Sequence, residues 1–258
     1  MLRYKIFDSH AHYNAEQFDE DRDSVIEEIK EYGVIGVMNC GTDVQSSKDT
    51  IALCEKHDIF YGAVGIHPTD AFNVDDKMID EIRELAKHDK IKAIGEIGLD
   101  YYWEDNPSRE EQKEVFRKHL KLAEELSLPV IIHDRDAHGD TLEIMKEFPN
   151  VKGVVHSFSG SVEMARECVK LGYYIGITGV ITFKNARKLL EVCEDIDLSK
   201  ILVETDAPYM APVPMRGKRN QSSYIEYVMD KIAEIKGISG EEVSKATIEN
   251  TKKLFNIV

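Results

Sequence analysis

Phe7-Asp8-Ser9-His10-Ala11-His12 closes a short apolar run that begins at Tyr4. Residues two apart in a strand share a side. His10 and His12 can therefore bring two imidazoles to one point, and a divalent cation is the usual reason to do so. Taken alone, a His-x-His is equally well two unrelated histidines. The pattern gains meaning because it recurs. Seven further runs rich in Val and Ile follow, at Val34–Asn39, Tyr61–Ile66, Lys92–Ile97, Pro129–His133, Gly153–His156, Tyr173–Ile177 and Ile201–Glu204. Such runs suit strands buried on both faces.

Amphipathic segments lie between them. Ser24–Tyr32 carries Val25, Ile26 and Ile29 on one stripe and ends at Gly33, where a glycine cap belongs. Helical spacing also marks Glu110–Leu126, Val162–Leu171, Tyr224–Lys236 and Gly240–Phe255. The last of these opens with Ser239 and Glu242 at capping-box spacing. Eight strands alternating with helices predict an α/β fold, a (β/α)8 TIM barrel, with residues 1–258 as a single domain. The competing architecture is an open doubly wound sheet. The barrel makes the sharper demand, that catalytic residues sit at the C-terminal ends of strands.

The strand ends meet that demand. The first carries His10 and His12, the third His67, the fourth Glu96, the fifth His133, the sixth His156, and the eighth Glu204 and Asp206. Each has a bland reading: a loop histidine, a satisfied core histidine, or an acidic cap. Coincidence across six strand ends is the harder explanation. Histidines and carboxylates without a thiolate suit Mg, Mn, Zn or Fe. Six ligands exceed what one open catalytic ion needs. They suit two divalent ions bridged by a carboxylate, for which Glu96 is the candidate, with a water activated between them. Glu204 faces the interior if its strand stays regular, as an outer support or a weaker metal ligand. His57, His88 and His119 fall in helical or charged segments and read as surface residues.

Hydrophobic residues make up 42% of the 258-residue chain and charged residues 31%, and the net charge is −15. That sign argues against a protein that coats or reads duplex nucleic acid through a broad basic face, but not against an enzyme that takes a strand end into a pocket. No apolar run approaches the roughly 18 residues of a membrane span. No signal peptide is visible. The four cysteines, Cys40, Cys54, Cys168 and Cys193, form no C-x-x-C pair and read as reduced thiols of a cytoplasmic protein. No heptad or apolar stripe compels a dimer, so a monomer without an obligate protein partner is expected.

His10-Ala11-His12, Gly95-Glu96-Ile97-Gly98-Leu99-Asp100, His133, His156-Ser157-Phe158, Glu204-Thr205-Asp206-Ala207-Pro208 and Arg216-Gly217-Lys218-Arg219-Asn220 together resemble the TatD family of metal-dependent deoxyribonucleases, among the amidohydrolase-like barrels. Order and spacing match over essentially the whole chain. The resemblance implies His10, His12, Glu96 and Asp206 around one ion, and Glu96, His133 and His156 around a second. It also implies hydrolysis of DNA phosphodiesters, 3′ to 5′ from a strand end. One departure is visible: many members have a proline two residues after the asparagine, where this chain has Ser222.

A phosphodiester needs cationic or polar donors beside the metals. The candidates are His67, Arg135, Arg216, Lys218, Arg219 and Asn220, with Asp206, Glu96 and His67 as the catalytic set. Trp103 and Tyr102, on the rim after the fourth strand, are undecided between stacking a base and packing, whereas Tyr101 reads as packing. The same metal set fits an amide or ester hydrolase, an aminoacyl-tRNA ester included. A metal store and a di-iron redox protein fit the strand-end histidines less well.

Overall fold

In the computed structural model, which describes residues 3–258, the eight apolar runs become eight parallel strands ordered sequentially around one sheet. They are β1 (Ile6–Ala11), β2 (Val34–Cys40), β3 (Phe60–Val64), β4 (Ile91–Asp100), β5 (Val130–Arg135), β6 (Gly153–Val155), β7 (Tyr174–Ile177) and β8 (Ile201–Val203). Helices α1 (Arg22–Glu31), α2 (Val44–Lys56), α3 (Asp76–Leu85), α4 (Arg109–Leu126), α5 (His138–Glu147), α6 (Val162–Lys170) and α7 (Arg187–Asp195) fill the successive crossovers, and α8 (Ile225–Lys236) and α9 (Gly240–Leu254) follow β8. The TIM barrel expected from the sequence is the fold.

The ends of the sheet meet through the site's own backbone. Asp206 N–H donates to His10 O (2.9 Å), and His12 N–H to Ala207 O (2.7 Å). Barrel closure and ligand placement are one set of hydrogen bonds. Inside, Phe7, Met38, Ala63, Ala93, Ile131, Val154, Tyr174 and Leu202 form a packed cluster, one from each strand, joined by Phe255 and Ile257 from beyond α9. This apolar layer fills one end of the barrel, and the polar strand ends are left to the other. Capping boxes at Ser108–Glu111 and Ser239–Glu242 start α4 and α9.

β4 is the longest strand, and its register with β5 slips between Ile94 and Ile97. The slip re-aims Glu96 between the neighbouring strand ends, as bulges do. Gly95 permits it: a Cβ there would stand 2.7 Å from Ile131 Cβ. Among the described residues, no helix is long and apolar enough to cross a membrane.

Candidate metal centre

Glu96 stands at the middle of the barrel mouth, and its two carboxylate oxygens face different histidines. Oε2 lies 3.3 Å from both His10 Nε2 and His12 Nε2. Oε1 lies 2.8 Å from His133 Nδ1, 3.4 Å from His156 Nε2 and 3.5 Å from His67 Nε2. Asp206 Oδ1 completes the first side, 3.5 Å from His10 Nε2 and 3.4 Å from His12 Nε2. Three groups of donors lie close enough to hold an ion: His10, His12 and Asp206; His10, Glu96 and His156; and His67, Glu96 and His133. His67, expected on the substrate side, thus stands among the donors.

What lies behind each imidazole fixes which nitrogen faces inward. His12 Nδ1–H donates to Cys40 O at 2.9 Å. His156 Nδ1 meets Glu204 Oε1 at 3.0 Å, and His133 Nε2 meets Asp100 Oδ2 at 3.1 Å. His67 Nδ1 meets Thr69 Oγ1 at 2.7 Å, and that hydroxyl reaches Asp70 at 3.1 Å. For His12, His156 and His133 the other nitrogen is left to point its lone pair at the centre, the arrangement that orients metal-bound histidines, whereas His67 Nδ1 also accepts from Thr69 N–H at 3.3 Å. Cys40 Sγ lies 3.5 Å from His10 Nδ1. Burial raises its thiol well above the ordinary value, so it stays protonated.

The field of the site suits cations. Burial opposes charge on His133, but hydrogen bonds with Asp100 and Glu96 outweigh it and push its pKa up to about 9. The same balance, struck with Asp206 and Glu96, holds His12 well above its ordinary value. Glu96 is driven the other way: despite burial, the charges of His10, His67 and His156 hold its carboxyl well below the usual range. Carboxylates that pull protons onto imidazoles are positioned to prefer divalent ions in their place.

Glu204 is not among the donor groups. It is fully buried behind His156, where it also accepts from Ser157 N–H (2.6 Å). It faces the barrel interior, as alternation from Leu202 requires, with Ser9 Oγ 3.3 Å from its Oε2; beyond it the chain leaves the strand, and Asp206 adopts φ 58°, a left-handed conformation that Asp tolerates. Gly176 makes the space: a Cβ there would lie 2.7 Å from Glu204 Oε2. Below the donors, Asp8 joins three parts of the chain. It accepts from Thr205 Oγ1 (2.6 Å), Ser222 Oγ (2.7 Å), Thr205 N–H (3.0 Å) and His10 N–H (3.2 Å). Ser222 N–H also donates to Tyr13 Oη at 2.8 Å, a bond that a proline could not make.

The TatD related DNase family model matches residues 7–256. The chain belongs to the TatD-related DNase family. It is 45% identical to the uncharacterized metal-dependent hydrolase YabD of Bacillus subtilis, over 98% of this chain and 99% of that one. It is 33% identical to the 3′-5′ ssDNA/RNA exonuclease TatD of Pectobacterium carotovorum, over 98% and 100%. The solved structure of the TatD homologue YJJV from Escherichia coli superposes with a TM-score of 0.92 at 32% identity, covering 98% of each chain. The protein is a metal-dependent hydrolase of the TatD family.

The substrate-side candidates of this TatD-family chain divide. Arg135 lies with its guanidinium carbon 3.8 Å from the ring centre of Tyr102 and 5.5 Å from that of Trp103, and both rings are at least half exposed. Tyr101 packs instead: its hydroxyl donates to Asp140, and Arg109 covers its ring. Arg219 is committed elsewhere, paired through both terminal nitrogens with Asp21 (2.8 and 2.7 Å). Asn220 is buried, and its amide donates to Thr205 O and Tyr209 O (2.9 and 2.7 Å). Arg216 lies over Phe183, and Lys218 is exposed.

Sequence reasoning missed three residues. His119, read as a surface residue, is fully buried, accepts from Ile66 N–H through Nε2 (3.2 Å), and has its pKa pushed down to about 4 by burial. Its signal was helical spacing, since Val115, Phe116, Leu122 and Ala123 place it on the apolar stripe of α4. Asp100, which the sequence offered only as the end of a motif, stands behind His133. Tyr209 lines the cavity above the donors, and its signal was an aromatic just past a ligand-bearing strand end.

Proposed function

We propose that the protein is a nuclease that uses two divalent ions to hydrolyse DNA phosphodiesters, from the 3′ end of single strands. The observation that carries this reading is Glu96, with one oxygen toward each of two histidine groups, beneath a cavity of about 430 Å³ that is open to solvent. In this reading His10, His12, Glu96 and Asp206 hold one ion, and Glu96, His133 and His156 hold the other, with His67 beside it. The residues fit such ions: nitrogen and oxygen donors only, converging from separate strands, with outer partners that fix their orientation. Mg, Mn and Zn all suit that donor set.

Bound ions of this kind lower the pKa of water toward about 7 and take up charge on phosphoryl oxygens. Asp206 is the donor best placed to orient the attacking water and accept its proton. Its side chain is 14% exposed, and hydrogen bonding to His12 and the charges of His156 and His10 outweigh burial to keep it ionised. Arg135 supplies positive charge on the β4–β5 rim, and Tyr102 and Trp103 offer faces on which bases stack. A relative of the same length and family bears the name 3′-5′ ssDNA/RNA exonuclease, which supports this substrate class. We also propose a monomer, since the large exposed apolar side chains, such as Tyr32, Phe72 and Val213, come from separate segments of the chain.

The test is digestion of 5′-labelled single-stranded DNA by chelated protein, by protein reloaded with Mg²⁺, Mn²⁺ or Zn²⁺, and by Glu96→Ala. A ladder shortening from the 3′ end, dependent on metal and absent in the variant, is the expected result. DNA left intact with every metal would transfer the site to an amide or ester substrate.

A further inference from the structure

The cavity over the donors is lopsided. Its lining comes from the segments after β8, β1, β2 and β3, together with the donors themselves, and holds no lysine or arginine among the described residues. Tyr209 contributes a half-exposed ring. Its backbone is pinned by Asp206 O, which accepts from its N–H at 2.8 Å, and by the Asn220 amide. The rest of the lining includes the hydroxyls of Thr42 and Ser46 and the carboxylates of Asp49 and Asp70. Arg135, a cation of the mouth, belongs to β5 and stands with the Tyr102 and Trp103 rings after β4.

A second groove adjoins this cavity and shares Asn14 and Asp49 with it. It is lined by Asp19, Glu20, Asp21 and Asp23, and its basic residues, Arg22 and Lys56, are already paired with Asp19 and Asp23. A nucleic acid that ran on past the donors on the β1–β3 side would pass over Asp49 and Asp70, or along this acidic groove. A strand that ends in the cavity meets neither obstacle.

We infer that the cavity is a subsite for the last nucleoside of the strand, and that Asp49 and Asp70 select an end bearing a free hydroxyl over one bearing a phosphate. The inference rests on the nuclease reading above. The cavity, at about 430 Å³, lies at the small end of the ~300–1,000 Å³ range of ligand sites, a size for one nucleotide rather than several. The Tyr209 ring stacks the base or covers the sugar. A sugar hydroxyl donates a hydrogen bond to an ionised carboxylate, whereas a terminal phosphate offers only acceptors and a like charge. Like charges a few ångströms apart at a protein surface discriminate by roughly tenfold or more.

The experiment compares three substrates of one sequence on the metal-loaded protein: a linear strand ending in 3′-OH, the same strand ending in 3′-phosphate, and a closed circle. Binding of the two linear strands is read in parallel by anisotropy, with a phosphorothioate at the last linkage to slow cleavage. The expected result is a kcat/KM roughly tenfold or more higher for 3′-OH than for 3′-phosphate, the same preference in binding, and an uncut circle. In Asp49→Asn/Asp70→Asn the ratio between the two ends should fall toward unity. The ratio is the readout, so a general loss of activity does not imitate the effect. Equal cleavage of both ends by the parent, or a circle cut as fast as the linear strand, would overturn the subsite and leave the nuclease reading standing. No cleavage and no binding of any strand would overturn both.

Discussion

The floor of the barrel mouth and its rim are built on opposite terms. On the floor, side chains come from strand ends, are buried, and are held from behind: His156 by Glu204, His133 by Asp100, His12 by Cys40 O. On the rim, Tyr102, Trp103 and Tyr209 are each at least half exposed and stand on loops. The contrast separates two tasks. Buried donors must keep their geometry without substrate, because cations are chosen by ligand arrangement. In the proposed nuclease, rim groups need only be available, because stacking tolerates many bases.

The contrast orders what mutation should do. Glu96→Ala removes the one carboxylate facing both donor groups. It should lower activity by more than an outer-shell change does, on the order of a thousandfold, with loss of bound metal read by elemental analysis. His119→Gln removes a neutral, buried imidazole. The folded pKa of His119, about 4, lies below the ordinary value of 6.5, so its contribution to stability is full above 6.5 and is lost as pH falls toward 4. The parent should therefore lose about 3 kcal/mol relative to the variant across that window, seen as urea midpoints that converge or cross as pH drops. Asp100→Asn keeps the shape behind His133 but not the charge, and should weaken metal binding roughly 10–100-fold by titration calorimetry.

On the rim the effects shrink. Trp103→Ala should raise KM roughly fivefold, about 1 kcal/mol, with kcat nearly unchanged in steady-state assays. Arg216→Ala and Lys218→Ala should each change KM by about twofold at low salt and less at high salt, since exposed charges are screened. A large kcat loss from Trp103→Ala would break the division between floor and rim.

The same division governs what could be read from the sequence. His10, His12, Glu96, His133, His156 and Asp206 were legible because each interrupts or ends an apolar run, and burial makes that pattern strict. The barrel was legible for the same reason, down to the helix limits: Val162–Leu171 was expected and Val162–Lys170 is observed. The left-handed backbone at Asp206 was not, although Glu204 stands behind His156 as the outer support that strand alternation allowed. Nor was the engagement of Arg219, since a basic run after the last strand says nothing of Asp21, almost two hundred residues earlier. β4 runs to ten residues rather than the short strand expected, because its slip at Gly95–Glu96 carries pairing on to Asp100.

Asp8 ties His10 near the start of the chain to Thr205 and Ser222, far along it. During synthesis the first histidines emerge early, yet Asp8 lacks its full pair of hydroxyl partners until the ribosome has passed the codon for Ser222. A chain still being translated therefore cannot assemble the complete donor set. Hydrolytic competence arrives late, only when nearly the whole chain has been made.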